Sequence, residues 1–130
     1  MDADRLRGID LFRALSKRDL QRLAQWTDEV DVPEGRVLGR EGDLAYEFFV
    51  IEDGVAEVRV DGTKVADLGP GEWFGEIGLL AAERRTATVT AVTPMRLVVM
   101  FGPDFRTMAR SMPEIAETIQ AEIRERLARA

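Results

Sequence analysis

Gly75 and Glu76, followed a short way along the chain by Arg85 and Thr86, are the residues best suited to hold a small charged molecule. Gly75 has no Cβ, so the backbone there can come close to a bound group. The segment from Glu76 to Ala82 has only Ile77 as a β-branched residue and suits a short helix. The N-terminal N–H groups and dipole of such a helix favour an anion. Arg85 can give two parallel N–H bonds to phosphate oxygens, which a lysine cannot, and Thr86 adds a hydroxyl donor. The Glu76 carboxylate would repel a phosphate, so its expected partner is a donor beside one, such as a ribose hydroxyl. A ribose 2′-hydroxyl next to a singly charged phosphate satisfies all four residues together.

The absences narrow the chemistry further. The 130 residues contain no cysteine and no histidine. Disulfides, thiolate chemistry and iron–sulfur ligation are therefore excluded. The commonest metal ligand and the commonest general base near neutral pH are missing as well. A hydrolase triad is unavailable, and no spaced calcium loop is present, so neither a catalytic nor a metal site is expected. The net charge of −6 gives no basic face for direct nucleic-acid binding. No apolar run is long enough to span a bilayer, and the charged N-terminus lacks the apolar core of a signal peptide. These features lead to the expectation of a cytoplasmic protein with no membrane partner.

The elements that must position the candidate residues fall into three parts of one domain, 1–130, with 45% hydrophobic residues and enough length for one core. Residues 1–30 form a helical lead, with Ser16 as N-cap, Asp19 as its capping-box acid and a helix from about Lys17 to Thr27. Residues 31–101 read as many short strands between turn signals, among them Asp53-Gly54, Asp61-Gly62 and Gly69-Pro70-Gly71. That spacing implies a sandwich, jelly roll or barrel, with Asp61-Gly62 closing a tight hairpin. Trp73 and Phe74, on opposite faces of a strand, read as core. Residues 102–130 read as two helices, the first opened by Gly102-Pro103-Asp104 and the second by Pro113. On the second, Ile115, Ile119, Ile123 and Leu127 form an i+4 row beside Ala116, either packed on the domain's own core or serving as a lid or dimer seam. Its other face pairs Glu122 with Arg126 and Glu125 with Arg129.

The run Phe74-Gly75-Glu76-Ile77-Gly78-Leu79, with Arg85-Thr86-Ala87-Thr88 after it, resembles the phosphate-binding cassette of cyclic-nucleotide-binding domains. That family includes the catabolite activator protein and the regulatory subunits of cyclic-nucleotide-dependent kinases. Arg40-Glu41-Gly42-Asp43 and Phe48-Phe49-Val50-Ile51-Glu52-Asp53-Gly54 resemble its early strands, and Leu11-Phe12-Arg13-Ala14-Leu15-Ser16 its helical lead. The resemblance covers about the whole chain and implies an α+β, mainly β fold. This fold is a double-stranded β-helix, or β-roll, with N-terminal helices, two C-terminal helices and the cassette at 74–88.

By resemblance, Glu76 takes the ribose 2′-hydroxyl and Arg85 the exocyclic phosphate oxygens. Backbone N–H groups near Ile77, Gly78 and Thr86 complete the phosphate site, with Gly75 giving close approach. Thr86 can also touch a guanine amino group, and Val65 lines the base pocket. Arg84 matches no family contact and is expected to be solvated. A residue on the family's last helix often caps the base, and the chain ends at Ala130 near that place. The implied function is a sensor without catalysis or cofactor. Its ligand is a cyclic nucleotide, cAMP ahead of cGMP, and binding moves the C-terminal helix. Without ligand, Arg85 is expected to lie partly buried with no anion beside it. A homodimer through the C-terminal helix is compatible with this reading. The alternative is a nucleotide-free β-roll acting as a dimerisation or protein-interaction module.

Overall fold

Two small polar caps decide where the chain first turns helical. In the computed structural model, which describes residues 2–75 and 84–129 (the side chains of 126–129 excepted), Asp2 accepts from the Asp4 N–H at 2.9 Å. This caps helix α1 (Ala3–Arg7). Ser16 Oγ accepts from the Asp19 N–H at 3.1 Å and caps α2 (Lys17–Leu23), as its sequence position requires. The helix stops short of Thr27. Its last turn tightens into a 3-10 turn over Ala24–Trp26, and Thr27 leaves it extended and buried, its hydroxyl donating to Ala24 O at 3.4 Å.

Among the described residues eight strands follow: β1 (Asp28–Val32), β2 (Val37–Gly39), β3 (Glu47–Asp53), β4 (Ala56–Val60), β5 (Thr63–Leu68), β6 (Trp73–Phe74), β7 (Thr88–Ala91) and β8 (Met95–Phe101). They form two antiparallel four-stranded sheets, ordered β1-β8-β3-β6 and β2-β7-β4-β5. Asp61 and Gly62 close the β4–β5 hairpin at φ 50° and 77°, the two positive values that a two-residue turn of matching twist needs. The mainly β roll with helices at both ends, expected from the sequence, is the fold observed.

Phe48-Phe49-Val50-Ile51 is an uninterrupted apolar run because β3 is covered on both faces. Phe48 and Val50, with Val98 and Met100 of β8, face the helices and join a core with Leu6, Phe12 and Leu23. Phe49, Ile51 and Leu97 face the second sheet and meet Ala56, Val89 and Ala91. Helices α3 (Gly102–Ser111) and α4 (Pro113–Arg129) return onto the helical side. Pro113 opens α4, where a missing N–H costs nothing. Ile115, Ile119 and Ile123 are at most 2% exposed within that core, so the row packs on the chain's own interior. The Leu127, Arg126 and Arg129 side chains lie outside the described residues. Glu122 lies 3.4 Å from Arg13 of the helical lead. Among the described residues no helix is long and apolar enough to cross a membrane.

A charged cluster ties α1 to the first sheet. Arg5 pairs with Glu29 on β1, and Arg96 Nε bonds Asp31 Oδ1 at 3.1 Å. A bulge between Ile51 and Asp53 leaves Glu52 as the extra residue opposite Leu97 and Arg96. Burial, then a hydrogen bond to Glu29 and the charge of Glu29, push the Glu52 carboxyl from 4.5 up to about 7, against the pull of Arg5 and Arg96.

Ile119→Ala removes a fully buried side chain and lowers unfolding stability by roughly 2–5 kcal/mol, read from urea denaturation. For Glu52, the raised folded pKa means that the folded protein keeps a proton that the unfolded chain has lost. Its stabilisation is therefore complete below about 4.5 and disappears as pH rises through about 7. Unfolding free energy measured at successive pH values between these limits falls for the wild type relative to Glu52→Gln, and the gap stops widening above pH 8.

Candidate functional site

Arg85 lies in the short segment before β7, and that segment is tied to the loop after β2. The Arg85 N–H donates to Asp43 O at 2.7 Å, and Gly42 N–H donates to Arg85 O at 2.9 Å. Arg84 is exposed, as expected, and its Nη1 donates to Gly42 O at 2.8 Å. Just beyond, the Thr88 hydroxyl accepts from the Glu41 N–H at 3.0 Å. With its backbone held this way, the Arg85 side chain is driven inward and is 9% exposed.

Four stretches of chain meet around the guanidinium. Its carbon sits 5.9 Å from the centroid of the Phe49 ring, and Phe49 stacks on Phe74 at 4.7 Å. Nη2 lies 3.7 Å from Glu47 Oε2 and donates to Glu47 O at 3.4 Å. Glycines flank the side chain. A Cβ on Gly39 would come within 2.7 Å of Arg85 Cδ. One on Gly75, at φ +82°, would come within 2.5 Å of Glu47 O and 3.2 Å of Arg85 Nη1. The expectation that Arg85 lacks an anion is corrected here, because β3 places the Glu47 carboxylate beside it.

Arg85 borders two cavities. The larger, of about 290 Å³, is mainly apolar and is lined by Ala45, Val58, Ala66, Leu68, Trp73, Phe74, Gly75, Thr86, Ala87 and Val89 as well as Arg85. Its size is near the lower end for small-molecule pockets, about 300 Å³. The smaller, of about 220 Å³, is polar and lies toward Arg40, Asp43 and Glu47. Among the described residues no group of three or more acidic side chains could hold a metal ion.

Of the residues singled out in the sequence, Gly75, Arg85 and Thr86 meet at the larger cavity. Glu76, Ile77 and Gly78 lie outside the described residues. Val65 does not line the cavity. It is 59% exposed, because a bulge pairs Val58 with Ala66 and Arg59 with Lys64 and leaves Val65 as the extra residue. Ala66 and Leu68, two apart on one strand face, line the cavity in its place. Gly39, Glu47 and Phe49 were missed. A glycine ending the Val37-Leu38-Gly39 strand is a signal for close approach. Glu47, polar at the edge of an apolar run, carries none.

A family profile, the cyclic nucleotide-binding domain, matches residues 29–112. The chain belongs to the cyclic nucleotide-binding domain family. It is 35% identical over 119 residues to a cyclic nucleotide-gated potassium channel of Rhizobium etli, a match covering 92% of this chain and 33% of the channel. It is 34% identical over 104 residues to a cAMP-dependent protein kinase regulatory subunit of Schizosaccharomyces pombe, covering 79% of this chain and 25% of that one. The crystal structure of the N-terminal domain of a Streptomyces coelicolor transcriptional regulator matches with a TM-score of 0.79 and 30% identity, over 99% of this chain and 94% of that one. The chain thus spans a third or less of these two curated relatives.

The steric role of Gly39 can be measured. Gly39→Ala should cost about 1–3 kcal/mol of stability through the Arg85 contact. In an Arg85→Ala background the same substitution should cost clearly less, since the clashing atoms are gone. Equal costs in a double-mutant cycle by chemical denaturation would exclude that contact.

Proposed function

We propose that this chain is a cytoplasmic regulatory module that binds a cyclic nucleotide, cAMP ahead of cGMP, and performs no chemistry on it. The observation carrying this reading is a guanidinium, 9% exposed, that lines an apolar cavity together with Gly75 and Thr86. Arg85 takes the exocyclic phosphate oxygens, and the Thr86 backbone N–H, with those of Ile77 and Gly78, completes the phosphate site. Glu76 takes the ribose 2′-hydroxyl. The base lies against Val58, Ala66 and Leu68, where an aromatic plane gains apolar contact. The order of the two nucleotides is supported by the cAMP-dependent kinase subunit among the relatives.

Coupling to the C-terminal helices has a physical basis in the chain's own contacts. Glu47 faces Arg85, and its neighbour Tyr46 accepts through its carbonyl from the Gly102 N–H at 2.6 Å, at the start of α3. A ligand that shifts Arg85 relative to Glu47 therefore acts one residue from the helix start. A two-state motion of α3 and α4 would follow if one arrangement binds ligand more tightly. A homodimer through α4 would use the face opposite the buried isoleucines.

Calorimetric titration tests the site. Wild type should bind cAMP saturably, and Arg85→Ala should weaken binding by several kcal/mol, on the scale of ~3–5 kcal/mol for loss of a desolvated charge partner. Equal affinity of the two proteins would remove Arg85 from the site. In thermal shift, cAMP should raise the midpoint more than cGMP at equal concentration, because a ligand binding only the folded state stabilises it according to its affinity. No shift with either nucleotide would favour the nucleotide-free interaction module.

A further inference from the structure

The nucleotide reading gives the Glu47 carboxylate no contact with the ligand. That carboxylate is 3.7 Å from Arg85 Nη2, with Glu47 41% exposed and Arg85 9% exposed. Arg85 lines both cavities, whereas Glu47 lines only the polar one, with Arg40 and Asp43. The guanidinium therefore borders the apolar chamber while paired with a carboxylate that lines only the polar cavity. An anion entering that chamber meets an arginine already paired, and it also meets the field of the carboxylate behind it.

We propose that Glu47 is the internal counter-anion of Arg85 and acts as a charge filter that disfavours doubly charged phosphates more than a singly charged cyclic phosphodiester. This inference rests on the nucleotide reading above. Its physics is Coulombic: the repulsion between the carboxylate and the bound phosphate grows in proportion to the ligand's charge. A cyclic phosphodiester carries one negative charge, whereas a phosphomonoester carries about 1.5 to 2 at pH 7. The charged side chains around the polar cavity, Arg40, Asp43, Glu47 and Arg85, sum to zero. Neutralising Glu47 leaves that group with one net positive charge. The backbone that carries the carboxylate is held by the sheet, since Glu47 pairs with Phe101 of β8 and its carbonyl takes the Arg85 hydrogen bond.

The test is calorimetric titration of wild type, Glu47→Gln and Glu47→Ala with cAMP and with 5′-AMP, each protein first confirmed folded by its thermal melt. Because Glu47 is partly exposed, the gain for cAMP should be modest, about threefold in the glutamine variant. The gain for 5′-AMP should be about tenfold, since doubling the ligand charge squares the factor. The preference for cAMP over 5′-AMP should then fall about threefold, and the alanine variant should shift the same way if charge rather than shape decides. An unchanged preference, weaker cAMP binding in the glutamine variant, or 5′-AMP binding undetected throughout would overturn the inference while leaving the nucleotide reading standing. Absence of cAMP binding by the wild type would overturn that reading first, and this one with it.

Discussion

The structure around the candidate site depends on burying one guanidinium. A charge withdrawn from water must be met by acceptors and an opposite charge, or the desolvation is uncompensated. Arg85 is 9% exposed, and its surroundings follow from that requirement. The Glu47 carboxylate and carbonyl supply anion and acceptor. The Phe49 face supplies a surface that attracts a cation. Gly39 and Gly75 supply space that any Cβ would fill. These residues come from β2, β3, the residue after β6 and the segment before β7, so the site exists only once the roll has closed.

The closure depends on strands buried on both faces. β3 and β8 send alternate side chains to the helical core and to the core between the sheets. Among the described residues, each core therefore takes four of its buried side chains from the same two strands. The isoleucines of α4 complete the helical core at almost no exposure, so α4 is part of the interior that holds β3 in place. Glu47 begins β3, and Tyr46 just before it holds the first residue of α3. Helices and site thus share one strand as a common support, a physical prerequisite for any effect of one on the other.

Much of this was legible locally. Ser16 and Pro113 mark helix starts because caps and prolines act on their own backbone, and Asp61-Gly62 marks a hairpin because few residues accept positive φ. The i+4 apolar row of α4 was visible as one face, and Gly75, Arg85 and Thr86 were recognisable by chemistry and spacing. The failures have a common origin. The resemblance put Val65 in the base pocket, but one extra residue in the register leaves it facing outward. α2 ended early because Thr27 was recruited into the interior as extended chain. The isoleucine row fitted two destinations equally until its neighbours were known.

By itself, the sequence determined the family, the mainly β architecture, the exclusion of thiol and imidazole chemistry, and the arginine able to meet a phosphate. The exclusions and the arginine reside in residue type and spacing, whereas the family and its architecture rest on a resemblance carried by the motifs at 74–79 and 85–88. Only the tertiary structure decided that Arg85 is buried and already faces a carboxylate, that Gly39 makes room for it, and that Ala66 and Leu68, not Val65, line the cavity. Arg85 and Glu47 lie 38 residues apart, and Gly39 is further still from Arg85 along the chain. No local pattern encodes such a meeting; it is set by strand pairing, and the choice of cavity-lining residues on β5 by the bulge at Val65.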